Sequence, residues 1–105
     1  MNTDFIRWET HKGMNSSHHV LFIGLSTCGF CKKALEFLDE HSIEYKYIFA
    51  DRINPEDKTR LKEEYKKQFG DRLLYPTAII DGKDILTGFI KPSWASALGL
   101  GPDAK

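Results

Sequence analysis

The sequence predicts a single α/β domain in which helices cover both faces of a mixed sheet. Three observations carry that expectation. The continuous apolar run Val20-Leu21-Phe22-Ile23-Gly24-Leu25 reads as a central strand and leads into an amphipathic helix. A second strand follows within the same stretch, so strand, helix and strand make a crossover unit that should be right-handed. Further on, Asp81-Gly82 stands between two β-rich runs, the signal of an antiparallel hairpin.

Each element has its own local cause. The helix from Phe30 to about His41 places Cys31, Ala34, Leu35 and Leu38 at core-facing intervals. Glu44 to Phe49 alternates as a strand, with Tyr45, Tyr47 and Phe49 on one face and Ile48 on the other. The second helix has a capping Asn54, Pro55 at its first position, and Glu56 and Asp57 complementing the dipole. Leu61, Tyr65 and Phe69 line one side, and Gly70 stops it. Thr77 to Ile80 and Asp84 to Thr87 form the hairpin, with Pro76 at its first position, where a missing N–H is tolerated. A last helix is expected from about Pro92 to Leu98, ending at Gly99 with Gly101-Pro102 beyond. The order is β-α-β-α-β-β-α over residues 19–99. Residues 1–18 read as an N-terminal extension, in which Phe5 to Glu9 is a weak candidate for an extra strand or a segment lying across the body. Residues 100–105 read as a tail.

Composition narrows the function. The 105 residues hold fifteen basic and fifteen acidic side chains without a block of either sign, which gives no reason to expect nucleic acid or a membrane surface as partner. No apolar run is long enough to span a bilayer. Asp4, Arg7 and Glu9 occupy the place of a signal peptide's apolar core, so a cytoplasmic location is expected. The two cysteines, Cys28 and Cys31, close no long loop and build no disulfide framework. A local dithiol in a reducing compartment points to redox catalysis or metal binding.

The dithiol stands where the first strand gives way to the first helix. A helix N-terminus offers unpaired N–H groups and a partial positive charge, an environment that favours thiolate over thiol. Lys32 and Lys33 add positive potential. Cys31 shares the apolar stripe and should face the core, whereas Cys28 should meet solvent. Cys28 is therefore expected to attack a substrate disulfide and Cys31 to resolve the mixed disulfide. Gly29 relieves crowding in the turn, and Phe30 presents a ring beside the reacting sulfur. Structural zinc needs two more ligands. His18 and His19 are adjacent and diverge, His41 lies about 15 Å along the helix from Cys31, and the histidines read as solvated surface residues. No metal is expected. The charged run from Lys58 to Lys67 reads as a solvated helix face with i, i+4 pairs.

The Cys28-Gly29-Phe30-Cys31 motif, followed by Tyr75-Pro76-Thr77 and the Asp81-Gly82 hairpin, resembles the glutaredoxin branch of the thioredoxin-like family over residues 19–99. The resemblance implies a thioredoxin-like fold with a four-stranded sheet. It makes Pro76 a cis proline set against the dithiol, and Tyr75 and Thr77 the lining of a groove where the substrate chain adds as a strand. Two places depart from the family pattern. Leu25-Ser26-Thr27 stands where a basic residue is usual, and Thr87-Gly88-Phe89-Ile90-Lys91-Pro92 where Gly-Gly and an acidic residue help hold glutathione. The resemblance thus implies a dithiol reductase of protein or small-molecule disulfides, monomeric, without a bound cofactor. Either glutathione as reducing co-substrate or a reductase enzyme would be its electron donor. Cys-Gly-Phe also resembles monothiol glutaredoxins, which hold an iron–sulfur cluster between two subunits; a cluster carrier is the alternative reading. Cys31 restores the resolving thiol and favours exchange. A thioredoxin-like scaffold with incidental cysteines is the third.

Overall fold

The computed structural model describes residues 2–100. The elements are β1 (Glu9–His11), β2 (Val20–Gly24), α1 (Gly29–Glu40), β3 (Tyr45–Phe49), α2 (Pro55–Phe69), β4 (Thr77–Ile80), β5 (Asp84–Thr87) and α3 (Lys91–Ala97), with a 3-10 turn at Ala50–Arg52. The strands lie in the order β1-β3-β2-β4-β5. β2 and β3 are parallel, as a helical crossover requires, and the other pairings between these strands are antiparallel.

Alternation along the central strands separates two cores. Phe22, Tyr45, Ala78 and Ile80 pack with Cys31, Ala34, Phe37 and Leu38 of α1 and Trp94 of α3. Ile23, Ile48 and Ile79 point the other way, onto Leu61 and Tyr65 of α2. Both faces of β2 and β4 are covered, which accounts for their unbroken apolar runs. The helix stripe read from the sequence omits Phe37, which is buried, and includes Leu35, which is only half-buried.

The local signals correspond to observed geometry. The Asn54 side chain accepts from the Asp57 amide at 2.8 Å, and Gly70 closes α2 with φ +77°. Asp81 and Gly82 both have positive φ, 54° and 73°, in the three-residue loop between the paired Ile80 and Asp84. α1 starts one residue earlier than expected because Cys28 caps it, and α3 spans Lys91–Ala97 with Leu98 as its cap. Gly101-Pro102 lie outside the described residues.

The sheet has five strands, not four. The fifth is β1, whose Glu9, Thr10 and His11 pair with Tyr47, Lys46 and Tyr45 on the open edge of β3. All three β1 side chains are exposed, so the strand carries no apolar alternation to reveal it. Of the two readings of Phe5 to Glu9, an extra strand or a segment across the body, the second describes Phe5 to Trp8, which cover the second core, while Glu9 begins β1. Ile6 is buried there, with Phe5 and Trp8 against the same cluster. The extension is tied down further where Asn15 exchanges backbone hydrogen bonds with Ser42 and Glu44. Gly13 fits closely at that seam: a Cβ there would stand 2.4 Å from the Ser42 carbonyl oxygen.

Three of the four histidines are engaged rather than simply solvated. His11 pairs with Asp39 at 3.1 Å and stacks on Tyr45. His18 pairs with Asp81 at 2.8 Å, and His41 Nδ1 lies 2.9 Å from the Phe37 carbonyl. On α2 the one ion pair within 4 Å among the described residues is Lys67–Glu64, spaced i, i+3, while the Arg60 charge, four residues before Glu64, also acts on that carboxylate. No described helix is long and apolar enough to cross a membrane.

Candidate active site

β2 delivers the chain to the dithiol through a glycine. A Cβ on Gly24 would meet the Phe22 ring at 2.7 Å and the Cys31 sulfur at 3.1 Å, so the absent side chain leaves the space that the sulfur needs. The chain then turns through Leu25, Ser26 and Thr27, closed by the Cys28 amide donating to the Leu25 carbonyl at 3.3 Å. Asp51, just beyond β3, fixes this turn. Its carboxylate accepts from the Ser26 amide at 2.9 Å and from the Ser26 hydroxyl.

Cys28 is the N-cap of α1. Its backbone is extended (φ −90°, ψ 120°), its carbonyl accepts the first helical bond from Lys32, and its sulfur accepts from the Cys31 amide at 3.2 Å. An orphan helix N–H is therefore aimed at the Cys28 sulfur. Both cysteines are free thiols, but their surroundings differ: Cys28 is half-buried and Cys31 is 1% exposed. Burial, and then the hydrogen bond with Cys28, push the Cys31 thiol up to about 12.

Stability follows from that shift. Folded Cys31 keeps its proton well above the pH at which an unfolded thiol, at about 8.5, releases it. The native state then binds more protons, so the reduced protein should lose stability as pH rises from about 9 toward 12 and keep it below that window. Burial pushes Tyr45 upward too, adding in the same direction. Urea midpoints at neutral and alkaline pH check this. The reduced protein should lose more than Cys31→Ala does; equal losses would remove Cys31 as the cause.

A cavity of about 360 Å³ opens beside the dithiol, lined among others by Ser26, Cys28, Gly29, Lys32 and Phe49. Phe30 lies outward, 62% exposed, with the Lys33 ammonium 5.7 Å from its ring centre. On the facing loop, the Tyr75–Pro76 peptide bond is cis. Register places that loop: Ile23 pairs with Thr77, so Pro76 comes level with Gly24, the residue packed on the Cys31 sulfur. Tyr75 and Cys28 both rest on the core cluster that contains Cys31. Thr77 is fully buried, and its hydroxyl donates to the Leu74 carbonyl at 2.6 Å. Its side chain thus braces the loop from inside and does not line the groove, as the resemblance had implied. The Tyr75 hydroxyl is buried without a hydrogen-bond partner, and burial followed by the Asp51 charge raises its pKa.

The loop after β5 is anchored by Trp94. Its indole N–H donates to the Gly88 carbonyl at 2.9 Å, while the Gly88 amide donates to the Pro76 carbonyl at 2.8 Å. Phe89 turns inward between Phe37 and Trp94, and Ile90 is left 60% exposed. Ser26, Asp51, Gly24 and Trp94 were not singled out as site residues from the sequence. Only the glycine ending an apolar strand carried a signal, since no spacing rule joins Ser26 to Asp51. Among the described residues, no three His, Cys, Asp or Glu side chains converge as a metal-holding group.

A dithiol capping the helix that follows a central parallel strand, beside a cis-proline loop, is the arrangement of thioredoxin-like thiol–disulfide oxidoreductases. A model of the glutaredoxin family matches residues 20–85, well over half the chain. The chain belongs to the glutaredoxin family. Among solved structures it resembles the glutaredoxin from Methanosarcina mazei Go1, with 26% identity and a TM-score of 0.75 over 90% of this chain and 89% of that one. Methanosarcina acetivorans methanoredoxin is similar at 26% identity and TM-score 0.76, over 87% of this chain and 95% of that one. A glutaredoxin from Archaeoglobus fulgidus matches at 25% identity and TM-score 0.68, over 76% and 85% of the two chains. No curated protein sequence matches the chain.

Proposed function

We propose that the protein reduces protein or small-molecule disulfides by dithiol exchange, with Cys28 attacking and Cys31 resolving. The observation that carries this reading is the unequal burial of two sulfurs joined through one turn of helix. Cys28 thiolate attacks one sulfur of the substrate disulfide. A mixed disulfide forms, and the other substrate sulfur leaves as a thiolate that takes up a proton. Cys31 then loses its proton and attacks the Cys28 sulfur, releasing the second substrate thiol. Two electrons pass to the substrate and leave a Cys28–Cys31 disulfide.

Gly29, Phe30, Tyr75 and Pro76 form the substrate side of the site, with Thr77 supporting it. An extended substrate chain would pair with the backbone at Tyr75. An external dithiol, a reductase enzyme or two molecules of glutathione, restores the thiols. The exposed Ile90 and Lys91 in place of an acidic residue favour a reductase as donor.

Pre-reduced protein mixed with excess bis(2-hydroxyethyl) disulfide, with no donor present, tests the reaction. Two thiols should appear per chain, and the protein should lose two hydrogens in mass without forming a covalent dimer. Absence of thiol release would overturn the proposal.

A further inference from the structure

Asp51 belongs to none of the motifs that define the dithiol site, yet it meets that site from two sides. On one side its two carboxylate oxygens take the Ser26 amide, at 2.9 Å, and the Ser26 hydroxyl, and Ser26 lines the same cavity as Cys28. On the other, its charge acts on the phenol of Tyr75, the residue before the cis proline. The carboxylate is therefore bonded to the turn that carries the attacking sulfur, and its charge reaches the loop before the cis proline.

It is a fixed charge. Two hydrogen bonds hold it in one orientation, and the Ser26 hydroxyl and amide draw its pKa below the usual aspartate value, so it stays ionised over the working pH range. Two cations share the region, Lys32 in the cavity wall and Arg52 next in sequence. Both side chains are exposed; neither forms an ion pair within 4 Å among the described residues, although the Arg52 charge acts on Asp51 and helps lower its pKa. A long, unpaired side chain can swing aside from an incoming group, whereas the pinned carboxylate cannot.

We propose that Asp51 is a specificity-determining residue that favours disulfides flanked by cationic or neutral groups over those flanked by anionic ones. This rests on the dithiol-exchange reading and deepens it by naming the substrate class. A substrate seated over Cys28 and along Tyr75 feels that charge where its flanking groups come within one Debye length, about 8–10 Å, of the carboxylate. At that range one fixed, solvent-exposed charge beside the site changes relative rates by about three- to tenfold at low salt. The same two bonds also hold the turn that presents Cys28, so the residue positions as well as selects.

Asp51→Asn separates the two roles, because its amide oxygen can still accept from Ser26 while the charge is gone. Pre-reduced protein is tested in single turnovers against three small disulfides: cystamine (a dication), 3,3′-dithiodipropionate (a dianion) and neutral bis(2-hydroxyethyl) disulfide. In Asp51→Asn the rate with the dianion relative to the dication should rise about three- to tenfold. High salt should shrink the difference between the two proteins. Asp51→Ala, which also frees Ser26, should slow the neutral disulfide in addition. If Asp51→Asn scales all three rates by one factor, or leaves the dianion-to-dication ratio unchanged, the specificity role is overturned. Failure of the wild-type protein to reduce the neutral disulfide would instead overturn dithiol exchange itself, so the two failures are distinguishable.

Discussion

Replacing Cys28 with serine should abolish disulfide reduction, by roughly 10³-fold or more, the scale on which loss of a covalent nucleophile acts. A serine hydroxyl at the helix cap can keep the bond from the Cys31 amide, so the fold should persist while the nucleophile is lost. Cys31 cannot substitute for it. It is 1% exposed and its thiol is held protonated by burial, so a substrate sulfur reaches it only after Cys28 has bound the substrate covalently. Cys31→Ser should accordingly give the opposite phenotype. The first attack proceeds, resolution fails, and a Cys28-linked mixed disulfide accumulates that non-reducing mass analysis can weigh. A Cys28→Ser protein as active as the wild type, or a mixed disulfide mapped to Cys31, would reverse the assigned order.

Trp94→Ala should produce the largest loss of stability among single substitutions near the site, about 3–5 kcal/mol. Trp94 is 1% exposed, lies between Phe22 and Phe89, and is the largest fully buried side chain. Against a typical total of about 5–15 kcal/mol, such a loss takes much of the folded state's margin. The indole N–H adds a separate contribution by holding the Gly88 carbonyl. Trp94→Phe keeps most of the apolar volume and should cost less, with about 1 kcal/mol of it due to the lost bond. Because Gly88 also bonds to Pro76, that variant should loosen the cis-proline loop and slow substrate reduction more than its small stability loss accounts for. Urea unfolding read beside single-turnover rates resolves the two effects. A Trp94→Ala loss below about 1 kcal/mol would contradict the packing account.

Where sequence pattern and burial coincide, the fold was legible. β2 and β4 are covered on both faces and read as apolar runs; α2 carries a proline, a capping asparagine and a terminal glycine; Asp81-Gly82 requires positive φ and has it. β1 was not legible as a strand. Its stability comes from backbone bonds to the edge of β3, and its three exposed side chains leave no periodic trace. Phe5, Ile6 and Trp8 gave an apolar signal that belongs to a segment lying across the body, the second of the two readings it allowed.

The site divides in the same way. The unequal exposure of Cys28 and Cys31 was legible from their spacing at a strand–helix junction, whereas the cis bond at Pro76 was implied only by the family resemblance. The pin between Ser26 and Asp51, and the bond from Trp94 to Gly88, depend on tertiary approach. Thr77 shows the reverse case. The resemblance implies a groove-lining residue there, and its side chain is buried with the hydroxyl donating to the Leu74 carbonyl.

Redox titration of the purified protein, following Cys28–Cys31 disulfide formation by alkylation and mass, tests the central claim most directly. Dithiol exchange predicts a reversible two-electron couple with a potential between about −270 and −180 mV, the span of thioredoxin, glutaredoxins and disulfide isomerase. Failure to form the intramolecular disulfide, or thiols shielded by a bound iron–sulfur cluster between two chains, would contradict it.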